Sequence, residues 1–362
     1  MQASPLPTSR SLTRLTKEGS DMKKFSVIKL ISLIFALLLL VGSAVACKGN
    51  KKSDPYVVPE RVIEDETIYT SGFYEYYLYS DGTAAILAYK GEELDVKVPN
   101  EFDGHKVVEI APAAFQYNRV IQTVTLGEDL EVIGEGAFYS CRSLKSIKIG
   151  PKVRSIGPGT FDDTAYDASL TDEFVIVGDS LLLKYCGADT NVTIPDTVKH
   201  IGPAFNSNQT IVDVTMGDNV VTVGSGAFVF SSVRRVTIGN NVVLIDMYAF
   251  QGCDKLRYVN IPDSVKTISY YAFYGCTSLK SLYLGKGVET INDYAFYQCS
   301  QMNYINLPKT LKKIGDFAFK DCYKLLYVYY EGSEADYEAL GISGTNYVIS
   351  DAKKFYNYNY EG

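Results

Sequence analysis

Along most of the chain the apolar positions fall into one recurring phrase. Three apolar residues come first, spaced as in Leu256, Val259 and Ile261, Leu279, Leu282 and Leu284, or Met302, Ile305 and Leu307. A turn follows, then a V-x-x-I step such as Val265 and Ile268, Val288 and Ile291, or Leu311 and Ile314, and then a small residue with Phe. The Phe mark recurs at Phe115, Phe138, Phe161, Phe205, Phe228, Phe250, Phe273, Phe296 and Phe319, in steps of 23, 23, 44, 23, 22, 23, 23 and 23 residues. A fixed period in this range is the signature of a solenoid, whose units bury their apolar faces only by stacking on one another.

The phrase also predicts what one coil contains. Its last two apolar positions alternate with polar ones, which is the period of a half-buried strand. Phe273, Cys276 and Leu279 stand three apart, the spacing of a short helical turn. The expected body is a right-handed curved stack of ~23-residue coils over residues 66–332, with a parallel sheet on its concave side. "FYEYYLYSDGTAAILAYKG" places Asp81-Gly82 between two strand-like runs and predicts a β-hairpin N-cap. The 44-residue step holds "EFVIVGDSLLLKYCG", read as a hairpin inserted at about 172–187 within one atypical coil. Residues 333–362 read as a C-terminal cap: Ser333 and Asp336 form a capping box, Gly341 ends the helix, and "AKKFYNYNY" is strand-like.

The phrase A-F-x-x-C-x-x-L-x-x-I-x-L-P-x-x-V-x-x-I-G resembles the BspA type of leucine-rich repeat found on bacterial cell surfaces. The likeness extends from about Tyr69 to the C-terminus and implies a leucine-rich-repeat solenoid. It further implies adhesion to, or binding of, host or bacterial surface molecules, without naming a ligand.

With 46% hydrophobic and 21% charged residues, the chain is too apolar to be disordered. Its start is different. Met22-Lys23-Lys24, an apolar run from Leu30 to Leu40 and the small residues up to Ala46 form the expected signal peptide, 22–46. Residues 1–21 do not fit before such a signal and are read as lying upstream of the true start at Met22. Cys47 after a small residue resembles a bacterial lipobox, which implies diacylation of Cys47 and a lipid anchor with a tether at 47–65. Ala44-Val45-Ala46 also suits an ordinary peptidase that would release the protein. The first 46 residues carry six Lys or Arg against two acidic residues, so their removal takes the formal net charge from −7 to −11. That balance argues against a nucleic-acid partner.

No enzyme is expected. His105 and His200 are far apart at repeat positions read as solvated, and no nucleophile elbow, H-E-x-x-H or phosphate loop occurs. Cys141, Cys253, Cys276, Cys299 and Cys322 share one place in their coils, three after the Phe, without the paired spacing that zinc needs. They read as small buried thiols, and neither a metal nor a cofactor is expected.

The polar positions of the predicted strands form the candidate binding surface. The last four strands place Tyr258 and Asn260, Ser281 and Tyr283, Tyr304 and Asn306, Tyr327 and Tyr329 there, whereas twelve equivalent earlier positions hold no Tyr. Rigid amphipathic Tyr with Asn beside it is the composition of a patch that binds an extracellular protein or glycan. Tyr is equally a good strand residue, and Tyr271, Tyr274, Tyr294 and Tyr297 enrich another face of the same coils. A structural envelope or spacer protein without a specific ligand is therefore the alternative.

Overall fold

The computed structural model describes Pro59 and residues 61–359; Cys47, the expected signal peptide and most of the tether lie outside them. The described end of the tether is already part of the body. Glu64 donates to Leu78 O and Ser80 to Val62 O, and Arg61 pairs with Asp81 and Glu131 at 3.2 and 3.0 Å.

Each coil contributes two strands where one was expected. The three-apolar segments form a broad parallel sheet that runs in chain order from Asn191–Thr193 to Tyr327–Tyr330 and ends on Lys353–Phe355. Asp95–Lys97, Thr123–Thr125 and Ser146–Lys148 form a separate three-stranded sheet of the same kind. The V-x-x-I steps build a second, narrower ladder of two-residue strands from His200–Ile201 to Lys313–Ile314. Pairing within this ladder corrects the reading of His200 as solvated. His200 is 3% exposed, and its Nδ1 lies 2.9 Å from Thr222 Oγ1 of the next coil.

The third side of the coil is not helical. Ala272, Tyr274 and Cys276 bond back to the carbonyls of Ser269, Tyr271 and Phe273, whereas the amides between them reach the next coil. Tyr271 donates to Asp293 O, Phe273 to Ala295 O and Gly275 to Tyr297 O, at 3.3, 2.7 and 2.8 Å. Left-handed backbone at Tyr271 (φ 56°) and Gly275 (φ 72°) stops the turns from fusing into a helix, so the expected helical turn is a run of separate turns. A bulky residue at positive φ costs on the order of 1–3 kcal/mol. Stacking offsets part of that cost, since the Tyr271 and Tyr294 rings lie 4.8 Å apart and 3° from parallel.

Inside, the Phe rings form a continuous stack from Phe205 to Phe319, with neighbouring centroids 4.8–5.2 Å apart. Behind them each column thiol donates to the carbonyl of the preceding coil's Phe, as Cys276 Sγ does to Phe250 O at 3.1 Å and Cys253 Sγ to Phe228 O at 2.9 Å. All six described cysteines are free, and only Cys186 is exposed.

The 44-residue step is more than an insertion. Phe174–Val177 and Leu181–Tyr185 pair antiparallel, and the second strand leads the narrow ladder by pairing with His200–Ile201. The first hairpin does the same: Tyr74–Leu78 pairs with Ala84–Tyr89, which pairs with His105–Ile110. Both end in Tyr-x-Gly, where the ring folds over the glycine. A Cβ at Gly91 or Gly187 would lie 2.3 or 2.4 Å from the hydroxyl of Tyr89 or Tyr185. Each Tyr then opens a Phe stack, on Phe115 at 5.0 Å and on Phe205 at 5.5 Å. The chain is therefore two arrays in series, each begun by its own hairpin, with hydrophobic cores that meet around Leu182 and Leu183. The last coil is closed by the expected capping-box helix Glu334–Ala339 and by Thr345 and Asn346, whose side-chain oxygens accept the amides of Phe317 and Phe319 at 3.1 and 3.0 Å.

Burial, with Arg154 and Lys199 near by, pushes the His200 imidazole down to about 4. The unfolded chain then binds the proton more readily than the folded one. Stability from this group is present above about pH 6.5 and is lost as the pH falls toward 4, by up to roughly 1.4 kcal/mol per pH unit. Urea unfolding at pH 7 and pH 5 should show a larger loss for the wild type than for His200→Gln.

Candidate functional site

The broad sheet ends in two side-chain columns. One runs through Ser281, Tyr304, Tyr327 and Lys353, with Tyr258 one strand earlier, and the other through Asn260, Tyr283, Asn306, Tyr329 and Phe355. Parallel in-register pairing puts equivalent residues of successive coils side by side, so aromatic residues repeated in sequence become neighbours in space.

The predicted residues do not share one environment. Tyr258 is 52% exposed and Tyr327 40%, Asn260 is exposed, and Tyr283, Tyr304 and Tyr329 are half-buried. Asn306 is buried, which corrects its assignment to the binding surface. It sits between Tyr283 and Tyr329 in the column, its Oδ1 accepts from Leu284 N at 2.8 Å and its Nδ2 donates to Leu284 O at 3.0 Å. Those two bonds satisfy a strand end, so Asn306 is a structural residue. Ser281, also expected on the surface, is buried as well.

Four of the predicted tyrosines meet. The Tyr283 and Tyr304 hydroxyls are hydrogen bonded with their rings edge to face, and Tyr304 meets Tyr329 in the same manner at 6.2 Å. Tyr327 lies 6.5 Å from Tyr329. The sequence reading missed two members of this cluster. Phe355 stacks on Tyr329 at 5.0 Å and 14°, and Tyr358 lies 4.6 Å from the same ring. Both come from the "AKKFYNYNY" segment, read as a seal for the last coil; it seals by adding a parallel strand that brings Phe355 onto this face, Tyr358 follows just beyond the strand, and Tyr356 packs on Tyr337 instead. Tyr258 makes no ring contact with the cluster among the described residues.

The cluster offers hydroxyls and ring faces, with Lys353 Nζ 5.0 Å from the Phe355 ring centroid as its cation. Such a surface binds by stacking and hydrogen bonding. Among the described residues no group of His, Cys, Asp and Glu could hold a metal ion, and no helix is long and apolar enough to cross a membrane.

A family profile described as "BspA type Leucine rich repeat region (6 copies)" matches residues 108–233, 176–256 and 221–338, well over half of the chain. The chain belongs to the BspA-type leucine-rich repeat family. Solved structures similar to this family member include a leucine-rich cell surface protein from Faecalibacterium prausnitzii, 20% identical, covering 76% of this chain and 98% of that one at a TM-score of 0.37. The T. pallidum leucine-rich repeat protein is 24% identical, with 72% and 91% covered and a TM-score of 0.29. The pneumococcal vaccine antigen PcpA is 14% identical, with 76% and 96% covered and a TM-score of 0.41. At these identities the likeness concerns the fold. No curated protein matches the chain. The family is one of non-enzymatic repeat scaffolds, typically on the bacterial cell surface.

The difference between the two asparagines is measurable. Asn306→Ala strands buried polar groups of Leu284 and should destabilise the protein by about 1–3 kcal/mol. Asn260→Ala, on the exposed face, should stay within about 0.5 kcal/mol. Equilibrium urea unfolding of the two variants tests the assignment.

Proposed function

We propose that this protein is a cell-surface binding module, anchored through a diacylated Cys47, that presents the aromatic end of its broad sheet to an extracellular protein or glycan. The observation that carries the reading is the convergence of Tyr283, Tyr304, Tyr327, Tyr329, Phe355 and Tyr358 on one face, contributed by successive strands and the closing segment. Aromatic side chains left partly exposed on a rigid sheet lose little entropy on binding and dominate interface energies. Family membership supports the surface location, and the acidic body left after removal of the leader disfavours nucleic acid. Two acyl chains on Cys47 give durable membrane attachment, which a single chain does not.

Glycan arrays and a panel of extracellular-matrix proteins identify the partner. Replacing Tyr258, Tyr283, Tyr304 and Tyr327 together by Ser should then weaken its binding at least thirtyfold, since buried aromatic anchors contribute about 2 kcal/mol or more. The control, Thr123, Thr125, Thr215 and Thr237 changed to Ala, should change little. Full binding by a folded Tyr variant would take the aromatic face out of the site and move the search to the hairpin around Gly178, whereas a failure to find any partner would favour the spacer. For the anchor, Cys47→Ala should abolish acyl labelling and shift the protein from membrane to medium; retention in the membrane would point to an uncleaved signal segment.

A further inference from the structure

The two arrays meet at an interrupted row of backbone bonds. Of the nine marked Phe residues, seven donate their amide to a carbonyl of the next coil, and Phe319 donates to Asn346 Oδ1 of the cap. Phe161 is the exception, because the hairpin that follows it supplies no Ala-Phe turn. Among the described residues no acceptor takes the amides of Gly159, Phe161 or Asp163, although the matching amides one coil earlier, of Gly136, Phe138 and Ser140, are bonded to Pro158, Thr160 and Asp162 at 3.0, 3.0 and 2.9 Å. Across the gap the Asn206 carbonyl likewise receives no amide, whereas its counterpart Tyr139 O accepts from Tyr117 N at 2.9 Å.

A cavity of about 270 Å³ occupies the missing turn's place. One wall is Gly159 to Asp162, the other is Pro203, Ala204 and Asn206 to Asn208, and Leu183 to Tyr185 lie between them. Asp167 stands at the rim, where Lys184 Nζ is tied to both of its carboxylate oxygens at 2.7 and 2.8 Å. Phe161 is 4% exposed, whereas Gly159 is half-buried and Asp163 exposed, so of the three donors only the Phe161 amide belongs to a buried residue. The other end of the same row shows how the fold closes such donors, with Thr345 and Asn346. No equivalent residues stand at the junction.

We propose that this junction cleft is a second binding site, which takes a short extended peptide segment of a partner protein in place of the missing turn. Donors at alternate residues of this run of turns face the place where alternate carbonyls of the next coil would lie, and the carbonyls of another backbone can take them as they do in other peptide-binding edges. The Asn206 carbonyl offers the complementary acceptor on the far wall. The aromatic layer beneath is already filled, by Tyr166 against Phe161 at 5.3 Å and Tyr185 against Phe205 at 5.5 Å. The incoming segment therefore carries small side chains at the cleft. Asp162 disfavours acidic ones, the Asp167 charge being balanced by Lys184.

A phage-displayed heptapeptide library panned on the full chain tests this. The expected result is enrichment of peptides rich in Gly, Ala and Ser that bind Asn206→Trp at least tenfold more weakly, while the thermal midpoint of that variant stays near wild type. Asp162→Trp, from the opposite wall, serves if Asn206→Trp does not fold. The bound peptide should slow hydrogen exchange at the Phe161 amide and leave Phe138 unchanged, and binding should survive the four Tyr→Ser changes, which separates this site from the aromatic face. An absence of enriched peptides, or peptides that bind the Trp variants as tightly as wild type, overturns the proposal. Glycans that bind wild type and are lost in the Trp variants would overturn it also, and would assign the cleft to sugars.

Discussion

The fold depends on one hydrogen-bond arrangement, the sharing of amides in the Ala-Phe segment between a coil's own turns and the coil that follows. Because every second amide is committed to the next unit, no coil is complete alone, and the Phe rings beneath are held in register by the same bonds. Donors and acceptors meet only when successive coils have nearly equal length. The steps of 22 and 23 residues follow from that constraint. A longer step cannot be absorbed as a bulge, so the chain restarts with a second hairpin instead.

Much of this was legible in the sequence because the period is written in large, always-buried residues. The Phe marks, the three-apolar segments and both hairpins lie where the pattern put them. The second ladder was not legible, since a strand of two residues, such as Thr290–Ile291, is too short to show an alternation. His200 escaped for the same reason. The helical turn was misread because a spacing of three suits both a helix and a series of single turns; the clue lay two residues before all but one of the marked Phe residues, where Gly136, Gly159 and Gly226 share positive φ with Tyr271 and Tyr294. At the candidate site, polarity alone could not separate exposed Asn260 from buried Asn306. The contributions of Phe355 and Tyr358 depended on the register of a strand placed after two short helices.

Closing the stack and building the aromatic face are one operation. The strand Lys353–Phe355 covers the last edge and also delivers the ring that stacks on Tyr329. The most aromatic part of the broad sheet thus lies beside its most specialised closing segment, at the far end of the chain from Cys47.

The column of thiols ties the chemistry of the protein to time. In the finished stack the Cys253 thiol is pushed up to about 12 by burial, and those of Cys276 and Cys299 are held well above the ordinary range for the same reason. The reactive thiolate is thereby suppressed, and oxidants find little to attack. Before the coils close, the same residues are ordinary cysteines at intervals of 23, free to cross-link in registers the solenoid cannot accommodate. In an oxidising compartment the sequence therefore sets a deadline, and a stack that propagates coil by coil from its hairpins is suited to meet it.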